Sequence, residues 1–185
     1  VMKENRRIQM TKKLLKESVF ELMEQKPLNK ITIKEICENA DVNRTTFYKY
    51  YGDQYMLVKD AEDELLKKTS EFLKSLSSDE EKTKLLEEFL TYVRNNGDTF
   101  RILLDRNSDT DFRLRLMNVA MEKVMAEKYE PRIRNEDKKY IFCMIIMGAI
   151  NTIGLWIDSK FDMPEDEMSS LMYKFVLTGL KGIEI

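Results

Sequence analysis

The sequence predicts an all-α protein of about nine helices, and three observations carry this prediction. The 185 residues include only 6 Gly and 3 Pro, so few positions interrupt a helix. Met, Leu, Lys and Glu residues, none of them branched at Cβ, are frequent, and these lose little rotamer freedom in a helix. Apolar residues recur at spacings of three and four, and no stretch shows the strict alternation of a half-buried strand.

Turn-forming residues divide the chain into helical segments and two predicted domains. A small domain of three helices covers residues 1–52, and a larger helical domain covers residues 53–185. The predicted helices span about residues 4–25, 33–39, 44–51, 54–75, 80–95, 98–105, 110–129, 135–158 and 164–180.

The second predicted helix begins with a complete capping signal. Thr32 is a good N-cap, and Glu35 lies three residues later, as a capping box requires. Ile31 and Ile36 flank this cap with the spacing of a hydrophobic staple. A short helix from Ile33 is therefore expected.

The same pattern occurs again at the third predicted helix. Asn43 is the expected N-cap, with Val42 and Phe47 at staple spacing. Two short helices joined by a tight turn at residues 40–42 form a helix-turn-helix. Phe47 and Tyr51 are four residues apart and are expected to face the core.

The exposed face of the third helix carries side chains suited to DNA. Arg44 can contact guanine through two hydrogen bonds, and Thr and Asn side chains can also contact base edges. Tyr48 and Lys49 suit phosphates, which position a protein without specifying sequence. Capped helices in an ordinary bundle with solvated polar ends remain the alternative. The candidates on this helix are Asn43, Arg44, Thr45, Thr46, Tyr48 and Lys49.

The charge distribution points in the same direction. Residues 1–60 hold 12 Lys+Arg and 9 Asp+Glu, a net charge of +3, whereas the remainder holds 19 and 24, a net charge of −5. A basic end on an acidic body is typical of a DNA-binding module attached to another domain. Chance asymmetry is the alternative explanation.

Over residues 5–58 the chain resembles the TetR family of bacterial regulators. The matching stretches are Ile31-Thr32-Ile33-Lys34-Glu35-Ile36, Ala40-Asp41-Val42-Asn43, Thr46-Phe47-Tyr48-Lys49-Tyr50-Tyr51 and Asp53-Gln54-Tyr55-Met56-Leu57. In the preceding helix, Leu15, Val19, Leu22 and Met23 would pack on the helix-turn-helix.

This resemblance implies a homodimeric repressor with a three-helix DNA-binding domain and a C-terminal domain that binds ligand and dimerises. Such proteins usually leave a double-stranded operator when a small molecule binds. Three departures from the family pattern are Asp41 in the turn in place of Gly, Tyr50 in place of His, and Gln54 in place of Lys. The positions matching those that the family turns toward DNA are Thr32, Lys34, Thr45, Thr46, Tyr48 and Lys49.

The C-terminal region is similar to a subgroup that includes activators of dihydroxyacetone-kinase operons. The similarity lies in Met147-Gly148-Ala149-Ile150, Leu155-Trp156-Ile157 and Met163-Pro164. In this subgroup the C-terminal domain can respond to a protein partner instead of a diffusible ligand. A DNA-bound regulator or coactivator controlled by a protein partner is therefore the alternative function.

The last two helices are the predicted dimer interface. The final helix, with Pro164 expected at its first position, has an apolar stripe, and the helix before it is apolar nearly all round. Such a helix needs cover on two sides, which a second chain can supply. Burial of both helices within one chain is the alternative. The predicted interface residues are Ile145, Gly148, Thr152, Met168, Leu171, Met172, Phe175 and Gly179.

A ligand pocket is expected among the fourth to eighth helices, where Met side chains would make a permissive apolar site. Each of its residues could instead be ordinary core. The candidate lining residues are Phe100, Leu103, Phe112, Met117, Met121, Tyr140, Cys143, Met144 and Met147.

Composition argues against an enzyme, a metal centre or a cofactor. The chain has no His, no Gly-rich phosphate loop and no nucleophile elbow. Cys37 and Cys143 are far apart and lie in apolar runs, so buried free thiols and a reducing, cytoplasmic location are expected. Residues 140–157 lack charge and approach the length of a membrane span, but a buried helix is the preferred interpretation, with no membrane association. A helical interaction or membrane-associated protein with a vestigial helix-turn-helix is the third hypothesis.

Overall fold

The computed structural model describes residues 2–73, 79–105, 111–126 and 133–182, and it confirms the all-α prediction. The described residues contain nine α-helices and no strand. The predicted ends at residues 75, 110 and 129 lie outside the described residues. The helices are α1 (Met2–Met23), α2 (Ile33–Asn39), α3 (Arg44–Tyr50), α4 (Gln54–Phe72), α5 (Asp79–Asn95), α6 (Gly97–Leu104), α7 (Phe112–Ala126), α8 (Asn135–Asp158) and α9 (Glu165–Lys181).

The N-terminal unit closes around a small apolar core. Helix α1 packs on α2, and α2 packs on α3. A 3-10 turn that the sequence did not predict, Leu28–Lys30, follows Pro27 and buries Leu28. Core side chains that are fully or almost fully inaccessible are Leu15, Val19, Ile31, Ile36, Phe47 and Leu57.

The first compact unit extends to Leu65, beyond the boundary predicted at residues 52 and 53. The first half of α4 belongs to this unit because its carboxylates pair with α1. Lys16 Nζ of α1 lies 3.0 Å from Asp60 Oδ2 and 2.7 Å from Glu64 Oε2. Leu57 and Val58 are also buried there. The second unit covers Leu66–Leu104 and the residues from Asp111 onward.

The C-terminal unit is built from paired helices. Helix α5 packs on α9, while α8 packs on α6 and α7. By length and composition alone α8 could cross a membrane. Within this unit its buried residues instead contact neighbouring helices, and they are Ile141, Phe142, Ile146, Ile150, Ile153, Trp156 and Ile157.

The loop between α8 and α9 is held by Arg94. Its guanidinium donates to the carbonyl oxygen of Met163 at 3.0 Å and pairs with Glu165 at 2.8 Å. It also lies 5.2 Å from the ring centroids of both Trp156 and Phe161. The indole Nε1 of Trp156 donates to the same Met163 oxygen at 2.8 Å. These contacts give the Trp-Ile and Met-Pro stretches of the sequence a common structural role.

Two expectations at this end of the chain were wrong. Pro164 is the N-cap of α9 and lies just outside the helix, because its extended backbone, with φ −62° and ψ 154°, precedes the first helical residue, Glu165. Cys143 is exposed whereas Cys37 is buried. An apolar helix without strong periodicity does not reveal which of its faces is covered, so the exposure of Cys143 was not predictable from its neighbours.

Candidate nucleic-acid interface

The start of α2 has the predicted capping box. Thr32 Oγ1 accepts from the Glu35 amide at 3.3 Å, and the Glu35 carboxylate accepts from the Thr32 amide at 2.9 Å. Lys26 binds the other carboxylate oxygen of Glu35 at 2.6 Å. The Lys26 hydrogen bond and those from Thr32 lower the pKa of Glu35 from 4.5 to about 2. The cap is therefore charged at neutral pH and links α2 to the chain before it.

The turn between α2 and α3 depends on one left-handed residue. Asp41 has φ 50°, a conformation that a short polar side chain tolerates better than most. The amide of Val42 closes the turn by donating to the Cys37 carbonyl at 2.9 Å. Asn43 then caps α3, its Oδ1 accepting from the Thr45 amide at 2.8 Å. The capped, two-helix arrangement expected from the sequence is thus present.

Helix α3 is anchored through its aromatic face. Phe47 is 0% exposed and Tyr51 is 4% exposed, as predicted. The Tyr51 hydroxyl donates to Asp60 Oδ2 at 2.7 Å, and Lys16 binds the same carboxylate. Burial, with help from the Asp60 hydrogen bond, raises the pKa of Tyr51. Although burial opposes it, the hydrogen bonds from Tyr51 and Lys16 lower the pKa of Asp60.

The opposite face of α3 is open to solvent. Arg44, Thr45, Tyr48 and Lys49 are exposed, and Thr46 is half-buried. Tyr48 is 59% exposed and touches the Phe47 ring edge-on at 5.7 Å between centroids. Arg44 has no ion-pair partner among residues that the structure describes. These side chains form one patch, available for contacts outside the chain.

The other candidates have structural contacts of their own. Thr32 donates its hydroxyl hydrogen to Glu35 at 2.8 Å, so the capping box uses both functions of this hydroxyl. Asn43 uses its carbonyl oxygen as the α3 cap. Lys34 is exposed and lies 3.7 Å from Glu38 on the next turn of α2.

Sequence reasoning missed two exposed residues at the start of α4. Tyr55 is 50% exposed and Met56 is 54% exposed, and they follow the turn that ends α3. Asp53 Oδ1 accepts from the Met56 amide at 2.8 Å, which caps α4. Their signal was the pair of large side chains two and three residues after the capping Asp53.

In the C-terminal unit an apolar groove of about 660 Å³ lies between α8 and α9. We call it the α8–α9 groove. Phe175 is 78% exposed, and Met144 and Leu171 are 67% and 53% exposed. The predicted interface residues that line this groove are Ile145, Gly148, Thr152, Leu171, Met172, Phe175 and Gly179. Met168, the remaining one, is buried within the chain.

The predicted ligand-pocket residues occupy different environments. Phe100, Leu103 and Phe112 are buried in the core, where the rings of Phe100 and Phe112 lie 6.3 Å apart. Met117, Met121 and Met147 are half-buried. Tyr140, Cys143 and Met144 are exposed, and Met144 lines the α8–α9 groove. The nine positions thus differ in exposure, and their role as the lining of a ligand pocket stays a prediction.

A second C-terminal space, of about 360 Å³, lies between α4, α5 and α9. We call it the α4–α5–α9 cavity. Sequence reasoning did not find it, because its walls come from distant parts of the chain. Its described lining residues are Thr69, Phe72, Leu73, Lys82, Leu85, Leu86, Phe89, Tyr173, Val176, Leu177 and Leu180.

Comparison with known proteins agrees with these features. Residues 80–178 match the TetR C-terminal family described as "Transcriptional regulator C-terminal region". An uncharacterized HTH-type transcriptional regulator of Bacillus subtilis, YxbF, is 37% identical over 46 residues, which are 25% of this chain and 12% of that protein. The chain thus aligns with only a small part of YxbF.

Two solved structures share the fold over nearly all of both chains. The dihydroxyacetone kinase operon activator DhaS has a TM-score of 0.62 at 17% identity, covering 95% of this chain and 98% of its own. A TetR transcriptional regulator from Streptococcus agalactiae has a TM-score of 0.63 at 22% identity, with the same coverage. With the family match extending over more than half of the residues, the chain belongs to the TetR family of transcriptional regulators.

Proposed function

We propose that the chain is a homodimeric repressor that binds a palindromic operator and leaves it when a small-molecule effector binds. The observation that carries this proposal is the exposed patch of α3, which includes Arg44, Thr45, Tyr48 and Lys49. The N-terminal end of a recognition helix contacts base edges in the major groove. Because α3 is capped and anchored by Phe47 and Tyr51, these side chains are presented from a rigid base.

The α8–α9 groove supports the homodimer. A ring that is 78% exposed, Phe175, is unusual on a solvated helix, and large apolar patches mark interaction sites. A second copy related by a two-fold axis would cover the groove with the same surface, as isologous interfaces do. Gly148 and Gly179 would have room for a close approach, since a Cβ placed on either has no described atom within 4 Å apart from its chain neighbours and its own helix backbone. Two recognition helices would then match a palindrome.

Release by an effector requires that the effector bind the free and DNA-bound conformations with different affinity. Regulators of this family bind DNA operators and small-molecule effectors, which supports a ligand here. Membership of this family of DNA-binding regulators supports a cytoplasmic location, which we propose for the chain.

Control by a protein partner is the second candidate. DhaS, named as an activator, has the same fold. The exposed Tyr140 on α8, at 64%, offers apolar surface outside the α8–α9 groove. A diffusible ligand would raise the melting temperature of the purified protein, whereas control by a protein would leave it unchanged until the partner is added.

Fluorescence anisotropy tests the DNA-binding part. Purified protein is titrated into labelled DNA from upstream of its own gene, with random DNA as the control, over a salt series. Tight binding that prefers the upstream DNA and weakens with salt supports the proposal, because phosphate contacts release counterions. Weak binding of both DNAs at low salt would contradict the proposal that the operator lies in the upstream DNA. A genome-wide selection of bound fragments then decides whether an operator exists elsewhere.

A further inference from the structure

We propose that the effector binds in the α4–α5–α9 cavity and that it is an amphipathic monoanion, with an apolar body and one anionic group. Calling this ligand the effector rests on the proposed function. Binding itself does not, and it can be measured without DNA.

The cavity has the size and chemistry of a ligand site. Its volume of about 360 Å³ lies within the range of small-molecule pockets, which are mostly apolar with a few polar groups. The rings of Phe72, Phe89 and Tyr173 contribute to its walls, and those of Phe72 and Phe89 lie 5.5 Å apart. Most of the remaining lining is Leu and Val. An apolar group inserted here would make van der Waals contacts with lining side chains that now face empty space.

Lys82 provides the anionic preference. It is the one charged residue among the described lining residues, and it is half-buried. A Lys side chain places its stem along apolar surface and its ammonium at the edge. A ligand with its apolar tail among the aromatic rings and its anionic group at Lys82 would match both the apolar lining and the charged residue of the cavity. Apolar surroundings strengthen such a charge-assisted contact relative to water.

The cavity is a local feature and does not reflect loose packing of the whole unit. On α5, Leu90 and Val93 are completely buried next to the part of the helix that lines it. From Phe72 the aromatic contacts continue to Tyr92 at 6.1 Å, and from Tyr92 to Phe100 at 6.1 Å. Phe100, one of the residues predicted from the sequence to line a pocket, is 1% exposed within this series of rings, which continues to Phe112 at 6.3 Å.

One wall of the cavity belongs to a helix that also serves the DNA-binding unit. Thr69 and Phe72 lie near the end of α4. Earlier on the same helix, Asp60 and Glu64 bind Lys16 of α1. A ligand against Phe72 therefore contacts a helix whose other end takes part in the fold of the helix-turn-helix.

Isothermal titration calorimetry with decanoate and 1-decanol on the full chain tests the proposal. These probes share a tail and differ in charge. Leu177→Trp fills the cavity, and Lys82→Gln removes the charge. Lys181→Trp and Lys84→Gln are the matched controls, since both positions are exposed and neither lines the cavity.

We expect decanoate to bind the wild type with one site per chain. Leu177→Trp should weaken binding more than tenfold. Lys82→Gln should weaken decanoate by about tenfold, the value of one charge-assisted hydrogen bond, and leave 1-decanol unchanged. The controls should behave as wild type. Circular dichroism establishes that each variant is folded. Should Leu177→Trp not fold, the charge selectivity of Lys82→Gln still decides.

Three results would overturn the proposal: no decanoate binding to the wild type, binding unchanged by Leu177→Trp, or equal loss of both probes in Lys82→Gln. Operator anisotropy on the same samples separates the two proposals. DNA binding without decanoate binding defeats the cavity proposal alone. Decanoate binding that leaves operator affinity unchanged keeps the ligand site and defeats its role as the effector site.

Discussion

The two compact units differ in how their surfaces are completed. In the N-terminal unit, polar side chains hold the helices at defined positions, through the Thr32–Glu35 cap and the contacts of Lys16 with Asp60 and Glu64. In the C-terminal unit, apolar side chains dominate, and several large ones remain exposed, including Phe175 and Leu155 at 78% and 66%.

This difference indicates which unit leaves a large apolar surface uncovered in a single chain. Hydrogen bonds and ion pairs depend on specific partners, so they hold the helices of the N-terminal unit in one arrangement and support the polar patch of α3, although Tyr55 and Met56 are also exposed. Burial of apolar area has no direction, so the α8–α9 groove accepts any surface of matching shape. We infer that the N-terminal unit supplies specificity and that the C-terminal unit supplies association.

The largest expected effect comes from a charge in the α8–α9 groove. Phe175→Glu should convert a dimer to monomers, because an unpaired carboxylate buried at an interface costs roughly 3–5 kcal/mol. Sedimentation velocity measures the change. Thr178→Glu adds the same charge at an exposed position that does not line the groove. If the two variants dimerise equally, the α8–α9 groove is not the dimer interface.

The α3 patch should separate specificity from affinity. Arg44→Ala should reduce discrimination between matched and mismatched operators by about 1–3 kcal/mol, if Arg44 contacts a base. Lys49→Ala should weaken binding to both about equally and lower the salt slope by about one. Tyr48→Phe should also act evenly. Anisotropy on both DNAs checks this, and equal losses for Arg44→Ala would refute its base contact.

Packing around the α8–α9 loop should be sensitive to one methyl group. A Cβ on Gly97 would lie 2.6 Å from Cζ of Phe161, whose ring packs edge-on against Trp156 at 4.9 Å. Because this ring is held on both sides, Gly97→Ala should destabilise the chain by about 1–3 kcal/mol in urea denaturation. Gly154→Ala should not destabilise it, because among the described residues a Cβ there meets nothing within 4 Å beyond its chain neighbours and its own helix backbone. Similar values for the two would mean that Phe161 moves freely.

The hydrogen bonds that cap α2 in the N-terminal unit can be removed by one substitution. Thr32→Ala leaves the Glu35 amide without its side-chain partner and should cost about 1 kcal/mol in the same denaturation assay. Thr45→Ala is the control, because its side chain is exposed and caps no helix. A loss as large for Thr45→Ala would show that the cap is not the cause.

The smallest expected effect is the loss of stability at acidic pH that protonation of the Glu35 carboxylate causes. Because the pKa of Glu35 is lowered from 4.5 to about 2 in the folded chain, its contribution is complete above pH 5 and declines as pH falls from 4.5 toward 2. Stability should therefore depend on pH more steeply in the wild type than in Glu35→Gln over that window. Thermal denaturation at several acidic pH values measures both slopes, and parallel slopes would contradict the assignment.

Sequence predicted the N-terminal unit closely because its determinants are local. The capping box at Thr32, the cap at Asn43 and the tight turn at residues 40–42 each depend on residues within a few positions. The bounds of α2 agree with the prediction residue for residue. Which of the exposed α3 side chains contact DNA is not a property of one chain and stays a prediction.

The C-terminal unit was predictable in outline only. Helix α8 has the predicted bounds, Asn135–Asp158, but an almost wholly apolar helix does not show which face will be exposed. The α4–α5–α9 cavity depends on Phe72, Phe89 and Tyr173, which meet only when the unit folds. Lys160 and Phe161 have positive φ without being Gly, a conformation supported by the Arg94 and Trp156 contacts and absent from local sequence rules.

The contrast between the two cysteines has a practical consequence for measuring association. Burial raises the pKa of the Cys37 thiol, which slows its reaction with electrophiles, whereas Cys143 stands exposed on α8. A maleimide dye at neutral pH should therefore attach selectively to Cys143 on the native chain. That single dye lies one residue from Met144 of the groove. Energy transfer between chains carrying donor and acceptor dyes would then report their exchange in real time, with no engineered residue.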